Sequence, residues 1–309
     1  MLDRIKGFVD STRVRATAEL ASIADVGKLA TAASGETIVR TNAQASPFVT
    51  TAKDFYDGWQ KFNLWYTLGK LELKRRYRRT KLGPFWAAAH NALYIMCVGF
   101  IFTTLLDADR AKYIPYLTSG IIAWMFVYNT MQEASGAFIS ASSLRQQLPF
   151  PYSMFIFQTL WRNLLFHIHN YVLYLGVILL YPVKVDWHLL LLIPGYILVI
   201  GNLCWLATLV ATASARYRDI AQLVPAVIQI MIFVTPIFYE ASRLNEFQRT
   251  WMLPPNLLYH MASVIRAPLL GEAADLSSYL TLIGSFVVGT LGTAWYFGRR
   301  RNKIIYWIM

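Results

Sequence analysis

The stretch Leu71–Pro84, LELKRRYRRTKLGP, divides the chain into two kinds of sequence. Upstream, the chain is polar and basic and closes in an aromatic-striped segment. Downstream, Phe85–Leu106 is long and apolar enough to cross a bilayer. Lys70, Lys74, Arg75, Arg76, Arg78, Arg79 and Lys81 crowd the junction. Lys and Arg collect on the cytoplasmic side of membrane helices, so this one stretch sets a topology.

The whole composition agrees. Of 309 residues, 56% are hydrophobic, too many for an ordinary soluble domain of this length. The net charge of +12 flanks apolar runs and forms no continuous groove. Attraction to anionic lipid headgroups therefore accounts for it better than nucleic-acid binding does. Cys97 and Cys204 fall inside apolar runs without metal-ligand spacing and read as small buried hydrophobes. Residues 1–50 lack the apolar core of a cleavable signal, so insertion is expected to use the first membrane helix.

Upstream of the junction, Met1–Val49 is rich in Ala, Thr and Ser. Asp10–Leu29 fits a marginal helix and Thr31–Thr51 a linker. Asp54–Arg79 reads as a helix, with Thr51-x-x-Asp54 as a capping box at its start. At helical spacing Phe55, Trp59, Phe62, Tyr66, Leu73 and Tyr77 form one stripe, and Asp57, Lys61, Arg75, Arg78 and Arg79 lie towards the other side. Such a helix either lies in the membrane interface or packs on a globular core; running straight into a span favours the interface. The expected organisation is a polar extension over 1–53, an interface helix and loop over 54–83, and a membrane domain over 84–309.

Six stretches are near the roughly 20 residues a bilayer core requires. They are Pro84–Leu106, with Pro84 in its first turn, then Ile114–Ala137, Tyr152–Tyr181, Leu189–Ala213, Ile220–Tyr239 and Tyr279–Gly298. The fold class expected is an all-α integral membrane protein with six transmembrane helices. An even number of spans puts Arg75–Lys81 and the basic run Gly298–Lys303 on one side, with both termini cytoplasmic. The turns at Arg145 and Arg216–Asp219 fall inside too, while Asp107–Tyr113, Pro182–Trp187 and Glu240–Ser278 fall outside. Within that last segment Leu257–Ile265 is too short to span. It either dips into the bilayer as a re-entrant helical segment shielded by protein or lies flat outside.

Catalytic chemistry is hard to find. There is no G-x-x-x-x-G-K-[ST] phosphate loop and no placeable Ser, His and Asp set. His167 and His169 point to different helix faces, so a shared metal is not expected. Gln158, Arg162 and His169 share one face of the third span. They either line a polar path or bond between helices, with Glu133 as a partner for Arg162. Asn91, Asn129 and Asn202 read as helix–helix glue. The 10 Trp, 18 Tyr and 18 Phe belong mostly to interfacial belts, though sugar rings also stack on aromatic faces.

Four stretches together resemble the membrane subunit of an ABC-2 type exporter of the polysaccharide class, which serves O-antigen, capsule and teichoic acid. Arg78-Arg79-Thr80-Lys81-Leu82-Gly83-Pro84-Phe85-Trp86 is similar to the family's Leu-Gly loop. Ser143-Leu144-Arg145-Gln146-Gln147-Leu148-Pro149-Phe150-Pro151 stands where the family has its first coupling helix. Ala215-Arg216-Tyr217-Arg218-Asp219-Ile220 resembles its second cytoplasmic signature. Thr235-Pro236-Ile237-Phe238-Tyr239, with Pro255-Asn256 and Arg266, resembles its outer gate and re-entrant segment. The match covers about Asp54–Lys303; the longer Met1–Thr51 departs from the pattern.

The resemblance implies the missing parts. A separate ATPase subunit, carrying ATP and Mg, would dock on Leu144, Arg145 and Gln146 and on Arg216, Tyr217, Arg218 and Asp219. The working unit would hold two copies of each chain in the bacterial inner membrane, and this chain would bind no cofactor and no nucleic acid. A polyprenyl-linked polysaccharide would present its pyrophosphate to Arg75, Arg76, Arg78, Arg79 and Lys81, with Leu82 and Gly83 letting backbone approach. Gln158, Arg162, His169, Phe238 and Tyr239 would line the channel. The rival readings are an ABC-2 drug or ion exporter, and a polytopic glycosyl- or acyltransferase.

Overall fold

A computed structural model describes residues 46–83 and 85–308. The expectations for Met1–Ala45 and for Pro84 lie outside these residues. All regular structure among the described residues is helical. The helices are α1 (Pro47–Gln60), α2 (Phe62–Arg76), α3 (Phe85–Leu105), α4 (Arg110–Ser135), α5 (Ala137–Ser140), α6 (Ser142–Gln147) and α7 (Tyr152–Leu180). A 3-10 turn at Trp187–Leu191 leads into α8 (Leu192–Arg216), followed by α9 (Arg218–Val234), α10 (Glu246–Trp251), α11 (Leu257–Leu269) and α12 (Leu276–Ile308).

Four of these, α3, α7, α8 with its 3-10 lead-in, and α12, are long and apolar enough to cross a membrane. The other two expected spans differ for separate reasons. α4 has the length, but its Tyr, Thr, Ser and Asn residues dilute its hydropathy. It can afford them because it is the central helix: Leu117, Ile121, Ala123 and Ala134 are wholly buried and its polar groups meet protein rather than lipid. α9 ends at Val234, 17 residues long, because Thr235–Tyr239 leaves the helix. The last helix instead overruns its expected end, continuing through the basic run to Ile308. Cys97 is exposed on α3, not buried.

The basic amphipathic stretch is corrected most. It is two helices, not one, broken at Lys61 (φ −83°, ψ 29°). The first starts at Pro47, inside the expected linker, because Ser46 caps it by accepting from Val49 N at 3.3 Å. The Thr51–Asp54 capping box does not form. Thr51 Oγ1 donates to Ala294 O at 2.7 Å, docking α1 on α12.

Asp54 caps a different helix. α7 begins after Pro151, which has no side chain able to bond its first N–H groups. The Asp54 carboxylate accepts from Ser153 N at 2.9 Å and Tyr152 N at 3.4 Å, placing a negative charge on the positive end of a 29-residue helix. Arg301 Nε donates to the same carboxylate at 2.5 Å. Ser153 Oγ donates to Asp54 O at 2.6 Å, an approach that requires Gly58 to have no Cβ.

Two of the three asparagines bridge helices. Asn91 Nδ2 donates to Asn170 Oδ1 at 2.9 Å, and Asn202 Nδ2 to Leu282 O at 3.0 Å. Asn129 makes no such bond among the described residues. His167 and His169 do part company: His167 is buried 2.5 Å from the Tyr196 hydroxyl, whereas His169 bonds Leu165 O at 2.7 Å on its own helix.

Candidate functional site

The chain order places functional stretches at opposite ends of the bundle. One end holds the close of α2, the turn between α4 and α7, and the α8–α9 turn. The other holds the α9 exit, the start of α4 and α11.

At the first end, α2 finishes on Lys74, Arg75 and Arg76, cations at the negative pole of a helix. Tyr77 caps it and stacks on Phe166 of α7, ring centroids 6.5 Å apart. Burial there pushes the Tyr77 phenol above its usual range, and Arg76 only partly offsets this. Arg76 itself turns inward to Glu133 at 2.8 Å, while keeping 51% of its side chain exposed. Glu133 also takes Arg162 at 2.7 Å and Asn163 Nδ2 at 2.6 Å. Glu72 takes Gln158 Nε2 at 2.7 Å and pairs with Arg162.

Gln158 and Arg162 thus clamp the basic helix onto α4 and α7. The Arg162–Glu133 pair is the interhelical bond expected of that polar face, whereas Glu72, on another helix, has no sign in the spacing. His169 stands edge-on to Phe85, centroids 5.4 Å apart, beside the loop entering α3.

Arg75, Arg78, Arg79 and Lys81 remain exposed, with no carboxylate partner among the described residues. The chain then turns through exposed Leu82 and half-buried Gly83, whose φ is +55°. Only glycine takes that conformation without cost. Nothing lies within 4 Å of where a Gly83 Cβ would be, so a substitution there tests backbone alone. Gly83→Ala is expected to cost about 1 kcal/mol and Gly83→Asn less, since asparagine tolerates left-handed backbone. Thermal unfolding of the two variants side by side checks this.

The expected coupling residues form exposed turns. On α6, Leu144 and Arg145 are half-buried and Gln146 exposed. The Arg145 guanidinium lies 3.6 Å over the Tyr152 ring, tying the turn to the start of α7. Arg216, Tyr217, Arg218 and Asp219 are all exposed, and Asp219 sits in the first turn of α9. Ser135 Oγ donates to Ala221 O at 3.1 Å, which holds the two turns at one end.

At the other end, Thr235–Tyr239 is a stretch of carbonyls pinned by side chains. Tyr113 Oη donates to Phe238 O at 2.7 Å. Tyr116 Oη lies 3.0 Å from Pro236 O and 2.8 Å from Tyr239 O. Arg266 of α11 donates through Nη1 to Tyr116 Oη at 2.7 Å and Pro236 O at 2.8 Å, its guanidinium 4.2 Å over the Tyr116 ring. Asn256 Nδ2 reaches Thr235 Oγ1 at 3.1 Å. Arg266 lines an open cavity of about 700 Å³. Phe238 is 3% exposed, buried among Tyr94, Phe102 and Phe233; Tyr239 is half-buried and donates its hydroxyl to Phe233 O at 2.8 Å. Tyr113 and Tyr116 carry this knot, yet in the sequence they look like ordinary belt tyrosines.

Residues 63–270 match the ABC-2 type transporter family, described as ABC2_membrane. The chain belongs to the ABC-2 type transporter family. The matched span runs from α2 to the turn after α11, so it holds the basic turn, the α6 and α8–α9 turns and the knot. The chain is also similar to the O-antigen export system permease protein RfbA of Myxococcus xanthus, 22% identical over 214 residues, covering 68% of this chain and 81% of that protein.

Proposed function

We propose that this ABC-2 family chain is the membrane subunit of an ATP-driven exporter that moves a polysaccharide on a polyprenyl pyrophosphate lipid to the outer face of the bacterial inner membrane. O-antigen is the polymer favoured, by likeness to the permease of Myxococcus xanthus. Two copies of the chain pair with two copies of an ATPase subunit, which carries ATP and Mg and docks on the α6 and α8–α9 turns. In this reading α3, α4, α7, α8, α9 and α12 are the six spans, α11 is re-entrant, and both termini are cytoplasmic.

The observation that carries the reading is the cationic turn ahead of α3. Arg75, Arg78, Arg79 and Lys81 stay exposed while Arg76 is committed to Glu133. Forked guanidiniums fit phosphate oxygens, and the turn at Gly83 brings backbone close to a headgroup. ATP-driven closure of the partner subunits pushes on the two coupling turns. The knot at the far end then yields, and the headgroup passes ahead of the sugar chain.

The test is Gln at Arg75, Arg78, Arg79 and Lys81 together, in the assembled complex. Removing four charges that each contribute about 1 kcal/mol near an anionic headgroup is expected to slow polymer export more than tenfold. ATPase assembly and melting temperature are expected to hold. Export at the unaltered rate would refute the loading role.

A further inference from the structure

The closing basic run does more than set topology. Arg301 turns to Asp54, but its neighbours do not follow. Trp295, Arg299, Lys303 and Trp307 are spaced by four and lie along one face of α12. With Arg300, and Arg216 from the end of α8, they line a cleft of about 480 Å³. Four cations therefore converge on one hollow, and none of them has a carboxylate partner among the described residues.

Aromatic rings hold three of these cations in place. The Arg299 guanidinium lies 4.4 Å over Trp295, Arg300 lies 4.0 Å over Tyr296, and Arg216 lies 5.6 Å from the Trp307 ring centre. Like charges gathered this closely repel, and a solvated basic face would spread them. A cleft that keeps them together, with ring walls and no acid, is shaped for an anion. Guanidinium forks select phosphate among anions. Tryptophans at both ends of the stripe place the cleft at headgroup depth, and basic clefts between helix ends at that depth hold anionic lipid headgroups.

We propose that Arg299, Arg300 and Lys303, walled by Trp295 and Trp307 and bordered by Arg216 of the α8–α9 turn, form a binding site for the phosphate headgroup of an anionic membrane lipid. The site is separate from the cationic turn ahead of α3 and does not depend on which polymer the chain moves.

The test uses the full chain in nanodiscs of phosphatidylcholine with a minor fraction of phosphatidylglycerol. Native mass spectrometry counts the phosphatidylglycerol retained per protomer. Each charge removed is expected to weaken retention about fivefold, so R299Q loses about fivefold and R299Q/R300Q/K303Q about a hundredfold. Arg243→Gln, at an exposed site elsewhere, is expected to leave retention unchanged. Should the triple variant fail to fold, R299Q carries the test alone. Undiminished retention in R299Q would overturn the proposal. So would inorganic pyrophosphate bound in the cleft without any phosphatidylglycerol, or loss of the lipid once the ATPase subunits are attached.

Discussion

Asp54→Ala is expected to lower the unfolding free energy by about 4 kcal/mol, the cost of breaking a buried ion pair from one side. The Asp54 side chain is 0% exposed and serves three donors from two other helices: Tyr152 N, Ser153 N and Arg301 Nε. Alanine leaves the first turn of α7 without a cap and the Arg301 guanidinium, 21% exposed, without its acid. The cap alone accounts for about 1 kcal/mol of the loss, and the stranded charge for most of the remainder. Asp54→Asn keeps an acceptor for Ser153 N and is expected to recover part of it.

The double variant Asp54→Ala/Arg301→Met separates the two contributions. Removing both charges is expected to cost at least 1.5 kcal/mol less than the sum of the singles, a coupling size typical of residues sharing one network (about 0.5–3 kcal/mol). Thermal unfolding in detergent, followed by size-exclusion, reads all four proteins. Additive losses would mean that Asp54 acts only as a cap.

Asp54 also marks where sequence reasoning stops. Apolar runs fix spans because the bilayer imposes a length, so α3, α7 and α8 were legible to within a few residues, and α12 at its start though not at its end. Thr51-x-x-Asp54 satisfied a local capping rule, and a local rule cannot foresee that a carboxylate is taken by another helix about a hundred residues on. The same limit applies to charge. Arg76 and Arg301 look like their neighbours in the sequence, yet Glu133 and Asp54 remove them from the pool of free cations. The cationic turn, the α6 and α8–α9 turns and the Thr235–Tyr239 stretch were legible as exposed or bent segments because each is a short contiguous pattern. Of the clamp, the Arg162–Glu133 pair was legible as the interhelical reading of that polar face; Glu72 and the tyrosines of the knot were not, because long-range packing assembles them.

Arg266→Met is expected to raise ATP-independent export about a hundredfold, by freeing the knot to open, while moving the melting temperature little. The two effects separate because Arg266 differs from Asp54. It is 8% exposed and has no carboxylate partner among the described residues, and its Nε and Nη2 carry no hydrogen bond. A buried cation in that state is itself costly, so an apolar chain of similar length returns much of what it removes. Tyr116 Oη still has Pro236 O and Tyr239 O to bond. What disappears is the charged link from α11 to the α9 exit. Two charge-assisted bonds at about 1.5 kcal/mol each amount to about 3 kcal/mol, or roughly a hundredfold in the balance between closed and open knots. Arg266→Lys retains charge but lacks the fork that spans both oxygens, and is expected to fall between. Timed export assays without ATP on the three proteins, each paired with a melting curve, decide the matter. ATP-independent export by Arg266→Met within twofold of the parent would show that the knot is scaffolding and that the path opens elsewhere.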